Sequence, residues 1–319
     1  MKIVTLTLNP ALDKSTAIDS LQPDKKLRCE VPTYEPGGGG INVSRAIKIL
    51  GGQSLAIYAG GGPAGDKIQE LLEQEGVDQH CIPIKNPTRE NLVVMEKSTK
   101  NQYRFGMPGS EMSEKELQEC LDAIKDLPNE VEYLVASGSL PLGAPDDFYG
   151  EIAKMAQDKN IKYVIDTSGN ALVKAAGPGV CIMKPNLGEL SQLAEKEEIT
   201  GMEQEEIAQK IIKDEKASIL IVSLGARGAM VATKDTIEYV IPPTVKQNST
   251  VGAGDSMVAG IILSMSRGDE LRDAIKWGVA AGTAATMTPG TELCRKKDVE
   301  KIFKWLSNKE EKDASIGLR

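Results

Sequence analysis

A carboxylate bracketed by glycines lies toward the carboxyl end of the chain, in the run Asn248-Ser249-Thr250-Val251-Gly252-Ala253-Gly254-Asp255-Ser256. Behind it, the spacing of Val258, Ile261, Ile262 and Met265 predicts a helix over 255–266. Glycines just before a helix let backbone N–H groups converge on one point, and the helix dipole adds to their pull on an anion. Such a point stabilises charge that builds on a transferring phosphoryl group. A carboxylate beside it can take the proton of an attacking hydroxyl. The bland reading of the same run is a helix N-cap, since Asp is a favoured cap and Gly a common neighbour.

Other chemistries are thinly supplied. The chain has 1 histidine, His80, so a Ser-His-Asp triad or a histidine metal cluster is nearly excluded, and proton transfer falls to carboxylates. Its 5 cysteines, Cys29, Cys81, Cys120, Cys181 and Cys294, are scattered without a C-x-x-C pair, against both a disulfide framework and a zinc site. The formal net charge of −8 carries no nucleic-acid footprint, and a phosphate site must be built from a few placed cations. No Walker A loop is present. Gly60-Gly61-Gly62-Pro63-Ala64-Gly65 fits a dinucleotide fingerprint, but no acidic residue follows at the distance that fold requires. No apolar run reaches membrane-spanning length, and the amino terminus reads as a strand, so a cytoplasmic protein without a membrane partner is expected.

The elements that must position these residues alternate. Apolar runs over 3–8, 55–59, 133–136, 163–166 and 219–223 read as strands, several apolar on both faces. Helical patterns separate them, one opened by a Ser113/Glu116 capping box. The alternation predicts an α/β sandwich with a mostly parallel central sheet. Two segments, 14–36 and 88–107, break the rhythm and are expected to form a small accessory sheet. The 319 residues are read as one domain over 1–306, with a frayed polar tail over 307–319.

Thr250-Val251-Gly252-Ala253-Gly254-Asp255 resembles the signature of the ribokinase, or pfkB, family of carbohydrate kinases. Pro36-Gly37-Gly38-Gly39-Gly40-Ile41-Asn42-Val43-Ser44-Arg45-Ala46 is similar to that family's amino-terminal glycine signature. The resemblance covers nearly the whole chain and implies a ribokinase-like three-layer α/β/α fold with a β lid. It makes Asp255 the base and the Gly252, Ala253 and Gly254 backbone the anion hole. Gly38 and Gly39 would let a sugar lie against bare backbone, with Asn42 bonding a hydroxyl, although a flexible turn plus N-cap would look alike. Asp13 would hold sugar hydroxyls, Arg89 and Arg104 would clamp a sugar phosphate, and Ser139 would touch the substrate; solvated surface charge is the alternative for the arginines.

In Lys184-Pro185-Asn186-Leu187-Gly188-Glu189, the family pattern has Lys184 and Asn186 contact ATP and Glu189 help hold Mg²⁺, while Asn-x-x-Glu is also a capping box. Asp166 would join that metal network. Ser223, Gly225 and Gly228 would form a nucleotide loop, unless they make a plain hairpin turn. Ala280 and Thr283 would line an adenine slot, where small helical residues also mark close packing. Backbone oxygens of Ser249, Val251, Ala285, Thr288, Gly290 and Glu292 match a monovalent-cation site, with K⁺ the expected ion.

Within the family, a Lys usually fills the third glycine position in kinases of fructose 1-phosphate and tagatose 6-phosphate. Gly39 stands there, as in the minor, type-2 6-phosphofructokinases. The expected reaction is therefore phosphorylation of fructose 6-phosphate at its 1-hydroxyl by MgATP, by a homodimer joined through the lid. Kinases of tagatose 6-phosphate or fructose 1-phosphate are the near alternatives. A non-catalytic sugar-phosphate or nucleotide sensor is the distant one.

Overall fold

The structure, a computed structural model, describes residues 1–315 except Met202, with side chains up to residue 309. The chain opens with β1 (Ile3–Thr7), β2 (Ala11–Ile18), β3 (Thr33–Gly37), α1 (Gly39–Ile49), β4 (Leu55–Gly60) and α2 (Gly62–Glu75). Then come β5 (Asp78–Pro83), β6 (Arg89–Glu96), β7 (Asn101–Phe105), α3 (Glu114–Lys125), β8 (Tyr133–Ser137), α4 (Phe148–Asp158) and β9 (Lys162–Asp166). It continues through α5 (Gly169–Ala175), β10 (Val180–Met183), α6 (Leu187–Leu193), α7 (Glu203–Lys213) and β11 (Ile219–Ser223). The last elements are β12 (Ala229–Ala232), β13 (Ile237–Val240), α8 (Ala253–Ser266), α9 (Leu271–Thr286) and α10 (Lys296–Ser315).

Nine strands form one sheet in the order β13-β12-β11-β10-β9-β8-β1-β4-β5. It is parallel except for β12 and β13, which run antiparallel to their neighbours at one edge. Alternate side chains feed two cores. Leu134 and Ala136 of β8 pack toward α3–α7, and Tyr133 and Val135 toward α1, α8, α9 and α10. Helices cover both faces, which is why the strands read as continuous apolar runs.

From β1 the chain proceeds outward to β4 and β5 on one side, then returns to β8 on the other. The switch point between β1 and β8 opens a crevice at their carboxyl ends, where ligands collect in such sheets. The segment after β1 is Leu8-Asn9-Pro10, which leads straight into β2. A four-stranded sheet, β3-β2-β6-β7, thereby springs from this edge. It occupies the two segments that broke the rhythm.

Two expectations are corrected. The tail expected to fray from 307 continues α10 to Ser315, and residues 316–319 lie outside the described residues. Helix α8 begins earlier than the 255 that periodicity placed it at, at Ala253, and α1 begins among the glycines, at Gly39. Glycine counts against a helix in propensity, but here tertiary contacts require it. A Cβ on Gly39 would collide with Ser137 Oγ, and one on Gly40 would lie 2.5 Å from the Leu6 carbonyl oxygen.

Candidate active site

Asp255 does not cap its helix. Gly252 is the N-cap of α8, held at φ 67° in the left-handed region, and no side chain caps the helix. The first N–H groups of α8 therefore have no partner within the helix. Asp255 lies in this first turn, and its Oδ2 accepts a hydrogen bond from Asn42 Nδ2 at 2.9 Å. Asn42 comes from the first turn of α1, so two helix N-termini meet at one carboxylate. Burial, then repulsion from Asp166, pushes the Asp255 carboxyl up to about 6 from 3.8, with Asp13 adding and Asn42 and Lys184 opposing. A carboxylate with that pKa is matched to general-base work near neutral pH.

Behind the glycines lies an ion pair between the buried Lys184 Nζ and the partly buried Asp166 Oδ1, at 3.0 Å. A Cβ added to Gly254 would stand 3.3 Å from Lys184 Nζ, so the ammonium abuts the glycine backbone. Burial pulls the Lys184 pKa down, but the carboxylates of Asp166, Glu189 and Asp255 more than offset this and raise it. Asn186 and Glu189 form a complete capping box on α6: Asn186 Oδ1 accepts from the Glu189 N–H, and Glu189 Oε2 from the Asn186 N–H. The capped start of α6 lies just after Lys184, at the carboxyl end of β10. Among the described residues no group of three or more His, Cys, Asp or Glu could hold a metal alone. Asp166 and Glu189 keep one oxygen each outside these contacts. That donor set fits Mg²⁺, which commonly rests on one or two carboxylates and completes its shell with water and phosphate oxygens.

The small sheet presents its inner face to this point. By register, Asp13 pairs with Asn91, and Val93 with Arg104, so these residues line alternate rows of one face. Asp13 Oδ1 accepts from Asn91 Nδ2 at 2.9 Å; burial raises its pKa, opposed by Asn91 and Arg89. Arg89 is half-buried and spends its fork on three carbonyls: Pro10 at 3.3 Å, Met107 at 3.1 Å and Asn9 at 3.1 Å. Arg104 is exposed and reaches across to Thr250 Oγ1 at 3.1 Å, beside the anion-binding turn. Ser139 Oγ accepts from Asn9 Nδ2 at 3.0 Å, joining the ends of β1 and β8. Gly38, at φ 115°, passes over Thr7 and Pro10 to carry the chain into α1.

On the other side of α8 lies a pocket of about 290 Å³, lined in part by Ser223, Gly225, Gly228, Gly254 and Thr283. The Gly225–Arg227 turn joins antiparallel β11 and β12, so it is the hairpin turn and a pocket wall at once. Asn186 bridges to Ser223, which links this loop to the Lys184 segment. Ala280 is a correction: it is fully buried in the core, and its neighbours Val279, Gly282 and Thr283 face the pocket. The loop after β13, Pro242 to Gln247, supplies another wall that no motif announced.

Three of the six backbone oxygens matched to a monovalent cation, those of Ala285, Gly290 and Glu292, lie against the side-chain hydroxyls of Thr288 and Ser249. Thr288 Oγ1 lies 2.7 Å from the Ala285 carbonyl and 2.6 Å from that of Glu292, and Ser249 Oγ donates to the Gly290 carbonyl at 2.6 Å. The dinucleotide-like glycines are filled too. Gly61 N–H donates to Thr88 Oγ1 at 3.0 Å, and the Ile84 and Asn86 carbonyls press against Gly61 where a pyrophosphate would need to lie.

Comparison with known proteins places the chain in a family. The pfkB family carbohydrate kinase model matches residues 6–298. ATP-dependent 6-phosphofructokinase isozyme 2 of Escherichia coli (strain K12) is 41% identical over 308 residues, 96% of this chain and 99% of that protein. Its namesake in Mycobacterium tuberculosis (strain ATCC 25618 / H37Rv) is 40% identical over 302 residues, 95% and 89% of the two chains. A 1-phosphofructokinase of Borreliella burgdorferi is 34% identical over 302 residues, 94% and 96% of the two. Crystal structures of the Escherichia coli phosphofructokinase-2 superpose with TM-scores of 0.91 in complex with potassium and 0.90 in complex with fructose-6-phosphate. They are 41% and 39% identical and cover 96% of this chain and 99% of theirs. The chain belongs to the pfkB family of carbohydrate kinases, ribokinase-like phosphotransferases that act on an alcohol group.

Proposed function

We propose that this kinase transfers the γ-phosphoryl group of ATP to the 1-hydroxyl of fructose 6-phosphate. The observation that carries the reading is the meeting of Asp255, held by Asn42, with the unpaired N–H groups at the start of α8. In the proposed mechanism Asp255 accepts the hydroxyl proton as the oxygen attacks. The N–H groups of Gly252, Ala253 and Gly254 then stabilise charge on the transferring group. Asp13, held by Asn91, would orient the sugar hydroxyls. The nucleotide would lie along the pocket beside Ser223, Gly225, Gly228 and Thr283, with Lys184 and Asn186 toward its phosphates. Mg²⁺, held through Asp166 and Glu189, would neutralise phosphate charge.

Arg104 and Arg89 would receive the 6-phosphate, with Arg104 exchanging its Thr250 contact for a phosphate fork. The small sheet then acts as a lid that excludes water as it settles on the sugar. Its outer face carries the row Tyr34, Lys14, Leu92 and Phe105, with Tyr34 and Phe105 exposed. We propose that a second copy of the chain packs on this face to form a homodimer.

A preference for fructose 6-phosphate draws on the relatives' names and on Gly39. Any side chain at that position would displace the end of β8, so a lysine there would need a different Ser137–Gly138 turn. The rival acceptors are fructose 1-phosphate and tagatose 6-phosphate. An ADP-release assay with MgATP and each sugar phosphate tests the choice, and kcat/KM is expected to be highest for fructose 6-phosphate. A higher value for either rival reverses the assignment. K⁺ would be held by the backbone oxygens of Ser249, Val251, Ala285, Thr288, Gly290 and Glu292, and turnover compared with and without K⁺ tests that site.

A further inference from the structure

Arg45 stands on α1 one turn beyond Asn42 and is buried, 6% exposed. A buried guanidinium must find partners for its donors, and these lie in four directions. Nε and one terminal nitrogen form a fork on the Glu75 carboxylate at the end of α2, both bonds 2.7 Å. The other terminal nitrogen donates to the Pro36 carbonyl at 3.0 Å and approaches Asn42 Oδ1 at 3.5 Å. The fork also reaches Glu35 at 3.5 Å, and Glu35 accepts from the Thr291 hydroxyl. Pro36 and Glu35 belong to β3, the foot of the small sheet.

An amide side chain has an accepting end and a donating end, and only one orientation serves Asp255. Turned over, Asn42 would aim its oxygen at the carboxylate and lose the 2.9 Å hydrogen bond. A cation on the far side of the amide removes that choice. We infer that Arg45 is a positioning residue: it fixes the Asn42 amide so that Nδ2 faces Asp255, and it ties that amide to the foot of the small sheet and to α2. The inference rests on Asp255 being the base. It makes the placement of the base depend on the same guanidinium that anchors the small sheet. Lysine cannot replace it, because a single ammonium on a flexible stem lacks the planar fork that spans Glu75, Pro36 and Asn42.

The test is a double-mutant cycle of R45K and N42A on kcat, with melting curves confirming that each variant folds. R45K alone is expected to lower kcat about tenfold, with the KM for ATP nearly unchanged, as for a small misplacement of a reacting group. In the N42A background R45K is expected to change kcat less than about twofold, because the two residues act as one unit. Equal losses in both backgrounds would overturn the inference, as would an R45K enzyme of wild-type kcat. Should R45K fail to fold, E75Q loosens the same fork, and its smaller loss must also vanish in the N42A background. The side-chain amide resonances of Asn42 supply a readout that needs no turnover: they are expected to shift in R45K or E75Q, and unchanged resonances would overturn the inference. A wild-type chain inactive on every sugar phosphate would overturn the proposed function alone.

Discussion

Asp255, the proposed base, carries a cost in stability. Its carboxyl is pushed up to about 6 from 3.8, so its ionised form is disfavoured in the fold. The penalty appears as pH rises through 3.8 toward 6, is complete above 6, and amounts to about 3 kcal/mol. Removing the charge should therefore stabilise the protein: D255N is expected to raise Tm at pH 7.5 and to leave it nearly unchanged at pH 4. A lower Tm at pH 7.5 would contradict the burial of the charge. In the free enzyme the same group should show as an acid limb in kcat/KM that falls below pH about 6. Asp255 and Asn42 were legible because each stands in a local run of glycines. Asn91, which holds Asp13, and Arg45 were not, because their partners lie far along the chain and no local spacing announces such a contact.

Glycines also decide the elements. Gly228 stands at φ 86° where a Cβ would run into the Val240 carbonyl, so it fixes how β12 returns from the pocket to β13. G228A is expected to destabilise the fold by about 2 kcal/mol or more and to raise the KM for ATP. An unaltered urea midpoint and KM would remove the turn from the site. The long parallel strands could be read from their apolar runs, and the capping boxes at Ser113 and Asn186 from their spacing. The starts of α1 and α8 could not, because propensity penalises glycines that only the tertiary contacts explain. Ala280 failed for a related reason: a stripe of small residues on α9 packs against α8 on one side and lines the pocket on the other, and composition does not say which.

At the scale of the whole molecule, the proposed site needs the small sheet as well as the crevice at the switch point. Arg104 crosses to Thr250, and Ser15 and Glu35 of the small sheet meet Thr291. R104A is expected to raise the KM for fructose 6-phosphate about tenfold or more while leaving kcat within a fewfold, since a phosphate fork contributes mainly binding. An unchanged KM would free Arg104 of that role. The exposed outer row at Tyr34 and Phe105 carries the assembly prediction: sedimentation should find a dimer, and F105D should shift it toward monomer. The small sheet was legible as an interruption of the alternating pattern. Its register, which separates Asp13 and Arg104 from Tyr34 and Phe105, follows only from the strand pairing.

The most direct test is turnover of fructose 6-phosphate and MgATP by D255N, with folding verified by its melting curve. The account predicts fructose 1,6-bisphosphate and ADP from the wild type, and a kcat at least about 10²-fold lower in D255N. Wild-type-like turnover in folded D255N would show that another group takes the proton and would contradict the account.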